Sequence, residues 1–182
     1  MTISDRAKEK ISTVLREGEQ AVDATLGNGW DTVFLAQCVG ASGRVFGFDV
    51  QEAALHATQK RLAKAEVSER CKLFLLGHEK MADKVSGPLG AVMFNLGYLP
   101  YAGEPVITQA ETTKLALSSA LTLLRPGGIV TVICYVGHVG GREEAEVVLT
   151  WAGELDEQFT VDGPSQLSQS DAPFLLVIEK RR

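Results

Sequence analysis

The sequence lacks the features of secreted disulfide-rich domains and of zinc-binding proteins. It has three cysteines in 182 residues, Cys38, Cys71 and Cys134, and no CxxC pair. An odd number of widely spaced cysteines is typical neither of a disulfide framework nor of a structural zinc site. We therefore expect reduced cysteines in the core, no bound metal and a cytoplasmic protein.

Long apolar runs and a strong charge imbalance are missing as well. No apolar run approaches the ~20 residues that a membrane-spanning helix needs. The first ten residues, MTISDRAKEK, are charged and contain no apolar segment of a secretory signal. The net charge of −5 does not indicate nucleic-acid binding, although a local basic patch would be enough for it. We expect no membrane partner.

What the sequence does contain is an alternation of strand and helix patterns. The predicted helices are 4–16, 31–39, 51–65, 111–124 and 142–155. The predicted strands are 20–24, 43–50, 71–76, 89–97, 129–135, 159–161 and 174–179. This order predicts one α/β domain over residues 1–182, with an N-terminal helix inside 1–19 and a doubly wound parallel sheet. Ligands of such sheets bind at the carboxyl ends of the strands.

The stretch DATLGNGWDT, from Asp23 to Thr32, lies between the first strand and the second helix. A dinucleotide site has G-x-G-x-x-G here, and Gly27 and Gly29 fit its first two positions, but Thr32 occupies the third. The turn that binds S-adenosylmethionine reads acid-x-G-x-G-x-G. Asp23, Gly27 and Gly29 fit it, with Thr25 in place of the first glycine.

Charge separates these two ligand classes. S-adenosylmethionine carries a sulfonium and an ammonium but no phosphate. Asp23 and Asp31 beside the turn would favour those cations and repel a pyrophosphate. The alternative is a plain strand-to-helix turn in which Asp31 caps the helix.

Two further strand ends carry candidate cofactor contacts. Asp49 ends the second strand about 20 positions after Gly27, where an acid accepts ribose hydroxyls, and Gln51 follows it. A helix cap is the alternative role for Asp49. Gly77 and His78 follow the third strand, at the edge where an adenine would lie. His78 is also open to a structural, hydrogen-bonded role or to a role as general base.

The fourth strand ends in FNLGYLP. An asparagine side-chain oxygen at such a position can accept the hydrogens of an amine and aim its lone pair, and an aromatic ring can stack on the base that carries the amine. Asn95 and Tyr98 provide these groups. The alternative is a buried strand end with Tyr98 in the core.

Taken together, these motifs resemble a known family. DATLGNGWDTVFLA, GFDVQ, GHE, FNLGYLP, ETTKLAL, LLRPGG and YVGHVGGREE occur in the order seen in the YtqB-like rRNA methylases, which include the MnmM-type tRNA methyltransferases. The resemblance runs from about Ala21 to Lys180. It implies a class I methyltransferase fold, Rossmann-like, with a mostly parallel seven-stranded sheet. It also implies methylation of the aminomethyl nitrogen on the wobble 2-thiouridine of tRNA.

The resemblance implies S-adenosyl-L-methionine as cofactor, with S-adenosyl-L-homocysteine as product, and places contacts on several of the residues above. The predicted cofactor-binding residues are Asp23, Thr25, Gly27, Asn28, Gly29, Asp31, Thr32, Asp49, Gln51, Gly77, His78 and Asn95. The predicted catalytic residues are Asn95, Tyr98 and His138.

The predicted mechanism is an in-line displacement between reactants that the enzyme holds about 3 Å apart. Because an aminomethyl group is largely protonated at neutral pH, a base is needed, and His138 after the fifth strand is a candidate. It could equally hold the loop or a phosphate. Lys114, Arg142 and the tail 179–182 are predicted contacts to the tRNA backbone.

Two other readings stay open. One is a methyltransferase that acts on rRNA or on a small molecule. The other is a NAD-type oxidoreductase or a noncatalytic nucleotide-binding domain, against which the missing third glycine counts. The sequence leaves the oligomeric state open, with a homodimer as a candidate assembly.

Overall fold

Strands form one sheet in the computed structural model, which describes residues 1–97 and 107–182. In chain order they are β1 (Gln20–Asp23), β2 (Arg44–Asp49), β3 (Cys71–Leu75), β4 (Leu89–Leu96), β5 (Leu124–Cys134), β6 (Phe159–Asp162) and β7 (Phe174–Lys180). Across the sheet the order is β3-β2-β1-β4-β5-β7-β6, and only β7 runs antiparallel to its neighbours. The predicted seven-stranded, mostly parallel sheet is confirmed. The strand order reverses between β1 and β4.

Helices cover both faces of this sheet. They are α1 (Ile3–Val14), α2 (Trp30–Val39), α3 (Glu52–Lys64), α4 (Met81–Lys84), α5 (Ala110–Leu123) and α6 (Gly141–Gly153). Buried side chains of α1, α2 and α3 form one apolar core, and those of α4, α5 and α6 form the other. Neighbouring residues of β1 face opposite cores, Ala21 the first and Val22 the second, as the alternation of a strand requires.

The N-terminal helix is shorter than the sequence predicts. It begins with a capping box, in which Thr2 and Asp5 bond to each other's backbone N–H groups. Its buried residues are Ala7 and Ile11, one turn apart. It ends at Val14 rather than at residue 16, because the backbone of Leu15 is already extended.

A second difference follows β3. Residues His78–Lys80 form a turn of 3-10 helix that continues into α4, where the sequence pattern predicts no helix. The turn is too short to show an apolar period, and it is stabilised instead by the buried side chain of Met81.

The cysteines are free thiols, but only Cys134 is buried, while Cys38 and Cys71 are half-buried. Cys38 and Cys71 pack against the apolar core from partly buried positions, so the expected core position holds in full for Cys134 and in part for the other two. In the described ranges 1–97 and 107–182, no helix is long and apolar enough to span a bilayer. Among the same residues, no cluster of three His, Cys, Asp or Glu side chains is placed to hold a metal ion.

Parallel strands bring the predicted motifs to one edge of the sheet. The carboxyl end of β1 pairs with β2 at Asp23–Gly47 and with β4 at Asp23–Met93. The loops after β1, β2, β3, β4 and β5 therefore leave the sheet on the same side. The tail does not, because β7 is antiparallel: its first residue, Phe174, pairs with Cys134 at the end of β5, and Glu179 pairs with Ile129 further back along β5. The predicted RNA contacts at 179–182 thus lie at the opposite edge.

Candidate active site

A cavity of about 980 Å³ opens at the carboxyl edge of the strands. Of the predicted site residues, those that line it are Thr25, Gly27, Asn28, Asp31, Asp49, Gln51, Gly77, His78, Asn95 and His138. Asp23, Gly29 and Thr32 are not among its lining residues. Tyr98 lies outside the described residues.

Asp23 is buried beneath the glycine turn instead of facing the cavity. It is 1% exposed, and its carboxylate accepts hydrogen bonds from the hydroxyl of Thr32 (2.6 Å) and the backbone N–H of Thr25 (3.1 Å). Burial first, and the nearby Asp31 second, raise the pKa of Asp23 to about 7. Asp23 and Thr32 therefore hold the glycine turn from below, and their predicted part in cofactor binding stays a prediction.

Gly29 is required by helix packing. Its φ of +78° is left-handed, and a Cβ at this position would lie 2.7 Å from the Cα of Thr58 in α3. Only glycine allows the beginning of α2 to approach α3 this closely. Gly29 also occupies the N-cap position of α2, which has no side-chain cap, so Asp31 does not cap the helix as the alternative reading supposes.

Asp31 is paired with Lys8 of α1, which the sequence analysis missed. The Nζ of Lys8 lies 2.9 Å from a carboxylate oxygen of Asp31, and both residues line the cavity. The pair places a positive and a negative charge side by side in one wall. The only sequence signal for Lys8 is its place next to the buried Ala7 on α1.

Asp49 connects the glycine turn to the beginning of α3. One of its oxygens accepts the N–H of Gly27 (3.1 Å), and the other accepts the N–H of Gln51 (3.0 Å). Gln51, not Asp49, is the N-cap residue of α3. A carboxylate has about four lone-pair directions, so Asp49 retains capacity for hydroxyl donors in the cavity.

His78 is held by hydrogen bonds on both sides of its ring. Its Nδ1 lies 3.2 Å from the carbonyl oxygen of Ala24, and its Nε2 lies 3.5 Å from the hydroxyl of Thr113. The residue is 7% exposed, and burial lowers its pKa. This environment favours a neutral, fixed ring and the structural role over that of a general base.

A buried carboxylate continues this network beyond Thr113. Glu144 of α6 is 3% exposed and accepts hydrogen bonds from the hydroxyls of Thr113 and Thr108, each at 2.6 Å. Thr108 in turn accepts the N–H of Gly97 (3.1 Å), and its own N–H donates to the Gly97 carbonyl (2.9 Å). Glu144 thus connects the cavity wall at His78, through Thr113, to Gly97 directly after β4, through Thr108.

Asn95 lies at the end of β4, where its backbone N–H donates to the hydroxyl of Thr25 (2.8 Å). This bond holds the end of β4 against the glycine turn, and Asn95 is one of the residues that line the same cavity. His138 lies on the other side of Gly97, with its Nδ1 2.9 Å from the carbonyl oxygen of Val139. Asn95 and His138 therefore share one cavity with the glycine turn.

The rim of the cavity carries an exposed tryptophan. Trp30 is 63% exposed, and the guanidinium carbon of Arg61 lies 3.3 Å from the centre of its ring system. The Nε of Arg61 also donates to the carbonyl oxygen of Asn28 (2.6 Å). Sequence reasoning missed this pair, because its members belong to different helices.

Two other predicted RNA contacts, Arg142 and Lys114, differ in how far the protein itself engages their side chains. Arg142 donates to the carbonyl oxygen of Ser168 (3.0 Å) and lies 3.5 Å from Asp171, so it stabilises a loop at the cavity. Lys114 is exposed on α5.

Comparison with known proteins gives the family. Residues 45–180 match the model described as "Putative rRNA methylase". An Arabidopsis thaliana protein named tRNA (mnm(5)s(2)U34)-methyltransferase, chloroplastic, is 38% identical in an alignment over 179 residues that covers 92% of this chain. The chain spans 65% of the length of that relative.

Solved structures agree over nearly the whole chain. A crystal structure described as a "putative rRNA-methylase" from Clostridium thermocellum has a TM-score of 0.93 at 42% identity and covers 99% of this chain and 98% of its own. A "putative methyltransferase" from Streptococcus mutans, in complex with SAH, has a TM-score of 0.88 at 39% identity, with 99% and 98% covered. The fold is that of the class I methyltransferases, as the sequence predicts.

Proposed function

The chain belongs to the "Putative rRNA methylase" family, and from that premise we propose that it is an S-adenosylmethionine-dependent N-methyltransferase whose acceptor is the aminomethyl group of the wobble 2-thiouridine in tRNA. One observation carries the proposal. The glycine turn, Asp49 and Asn95 border a single cavity at the point where the strand order reverses. The name of the Arabidopsis relative supports the choice of acceptor.

The cavity offers a contact for each part of the cofactor. Asp49 would accept the ribose hydroxyls, and Gly77 and His78 would border the adenine. Lys8 and Asp31 would bind the amino-acid end, since this pair presents one charge for a carboxylate and one for an ammonium. The Streptococcus mutans structure with SAH supports this ligand class.

The chemistry requires a neutral amine aimed at the methyl carbon. The cofactor supplies the methyl group: the N–C bond forms as the C–S bond breaks, and the sulfur keeps the electron pair. The Asn95 side-chain oxygen would accept an amine hydrogen and orient the nitrogen lone pair. His138 would accept the proton that the amine loses. Stacking of Tyr98 on the uracil ring stays a prediction, as do a cytoplasmic location and a homodimer.

Cofactor and acceptor can be tested separately. Calorimetry with S-adenosylhomocysteine and with NAD tests the ligand class, and we expect binding of the first alone. Nucleoside mass analysis of tRNA after incubation with labelled cofactor tests the acceptor. If rRNA or a small amine receives the methyl group and tRNA receives none, the tRNA proposal is refuted. The assignment of S-adenosylmethionine as cofactor would still stand.

A further inference from the structure

Trp30 is exposed at the rim of the cavity, whereas the other tryptophan, Trp151, is 6% exposed in the core. A single exposed apolar residue is ordinary on a protein surface. Trp30 differs in that its ring is held in place by Arg61, whose guanidinium stacks on it and also bonds to the Asn28 carbonyl. The indole is therefore ordered before any ligand arrives, so little side-chain entropy remains to be lost on binding.

The helix that supplies Arg61 also carries positive charge on its surface. Lys60 and Lys64 of α3 are exposed and one turn apart. With Arg61 they place three positive charges in the last turns of α3, on a chain whose net charge is −5; we call Lys60 and Lys64 the basic patch. It continues from Arg61, which touches the cavity rim through Trp30.

We propose that Trp30 and Arg61 form a stacking platform for an unpaired nucleobase of the RNA substrate, beside the nucleotide that enters the cavity. This inference rests on the proposed function, since it takes the RNA acceptor from there. An ordered aromatic face with an adjoining guanidinium is how proteins bind splayed-out bases of single-stranded RNA. Lys60 and Lys64 would contact the phosphates that follow. An acidic peptide would use the cations but would not need the exposed indole.

Intrinsic fluorescence tests stacking directly, since stacking on a base quenches an indole. The wild-type protein is titrated with a synthetic RNA hairpin that has a uridine-rich single-stranded loop. We expect quenching in the wild type and in Trp151→Phe, and none in Trp30→Phe. Equal quenching in Trp30→Phe would overturn the platform.

Affinity provides the second readout. Trp30→Ala should weaken binding of the hairpin by about 5- to 100-fold, the range of one lost base stack. Leu115→Ala, which removes a 61% exposed side chain from α5, is the matched control and should leave the affinity unchanged. Binding of S-adenosylhomocysteine should stay within about twofold in Trp30→Ala. A parallel loss of cofactor affinity would show that the indole covers the cofactor instead, and unchanged RNA affinity would refute the stack.

Salt dependence tests the basic patch. Lys60→Gln with Lys64→Gln should reduce the slope of log affinity against log salt by about 1.5, as two lost phosphate contacts predict. Arg181→Gln with Arg182→Gln removes the same charge at the opposite edge of the sheet and should not change the slope. Equal effects of the two pairs would mean that only net charge matters.

These readouts separate the platform from the proposed function. The binding assays need no methyl transfer. If the hairpin quenches Trp30 fluorescence but the protein does not methylate tRNA, the proposed function is refuted and the platform is not. Methylation of tRNA with an unchanged Michaelis constant in Trp30→Ala would refute the platform alone. Polyglutamate, an acidic polymer without bases, serves as a competitor. If it displaces part of the hairpin and the hairpin that stays bound still quenches Trp30, the platform is supported. Quenching by polyglutamate itself would contradict it.

Discussion

Removal of the Glu144 carboxylate should destabilise the protein far more than its position on a charged helix would indicate. Glu144 is buried and accepts two hydrogen bonds of 2.6 Å, from Thr108 and Thr113. Hydrogen bonds to a charged group contribute about 1.5–3 kcal/mol each, so Glu144→Ala should lower the free energy of unfolding by about 3–6 kcal/mol. For a domain of this size the melting temperature should fall by on the order of 10 °C.

Glu143 provides the matched control, because it is the same residue type one position earlier on α6 and is exposed. Glu143→Ala should change the free energy of unfolding by no more than about 0.5 kcal/mol. Urea denaturation of both variants at neutral pH, with thermal melts beside it, makes the comparison. Equal stability of the two variants would refute the reasoning that the buried network holds α6 to the end of β4.

The remaining predictions concern the cavity. Asp49→Ala should weaken S-adenosylhomocysteine binding by about 3–6 kcal/mol through the loss of two ribose hydrogen bonds to a charged carboxylate, measured by calorimetry with Asp49→Asn beside it; unchanged affinity would remove Asp49 from the site. The pKa of Asp23 is raised in the folded state, so its contribution to stability falls as pH rises from about 4 to about 7. The free energy of unfolding of Asp23→Asn should therefore rise relative to that of the wild type as the pH increases from 5 to 8, measured by urea titration. A difference between the two proteins that does not change with pH would contradict this. Asn95→Ala should keep cofactor affinity and lose most of the single-turnover rate of methyl transfer; a wild-type rate would show that the amine is oriented by another group.

Sequence reasoning identified the sheet because strand and helix periods are local signals. Apolar positions repeat within each element, and parallel connections then leave few arrangements open. It also predicted that the turn at 23–32 borders a ligand site, and Thr25, Gly27 and Asn28 of this turn line the cavity. It did not show that Asp23 lies beneath the turn, because a carboxylate at the end of β1 can point up into the cavity or down into the core. The choice depends on Thr32, which presents its hydroxyl from α2.

The contacts that were missed all join residues far apart in the chain. Lys8 of α1 forms an ion pair with Asp31 of α2, and Glu144 accepts a hydrogen bond from Thr108, which lies 36 residues earlier in the sequence. A single acid in a helix gives no sign of its partner until the helix is packed. For Glu144 the available signal was weak: it precedes the buried Ala145 on the apolar face of α6. Such pairs could be found only once the register of the helices on the sheet was known.

Nucleoside mass spectrometry shows whether the protein transfers a methyl group to an amine of tRNA. The purified protein is incubated with deuterium-labelled S-adenosylmethionine and tRNA that carries 5-aminomethyl-2-thiouridine at the wobble position. We expect one labelled methyl group on that nucleoside, and Asn95→Ala should strongly slow its appearance. Label in another nucleoside, or no label in tRNA from a protein that binds S-adenosylhomocysteine, would contradict it.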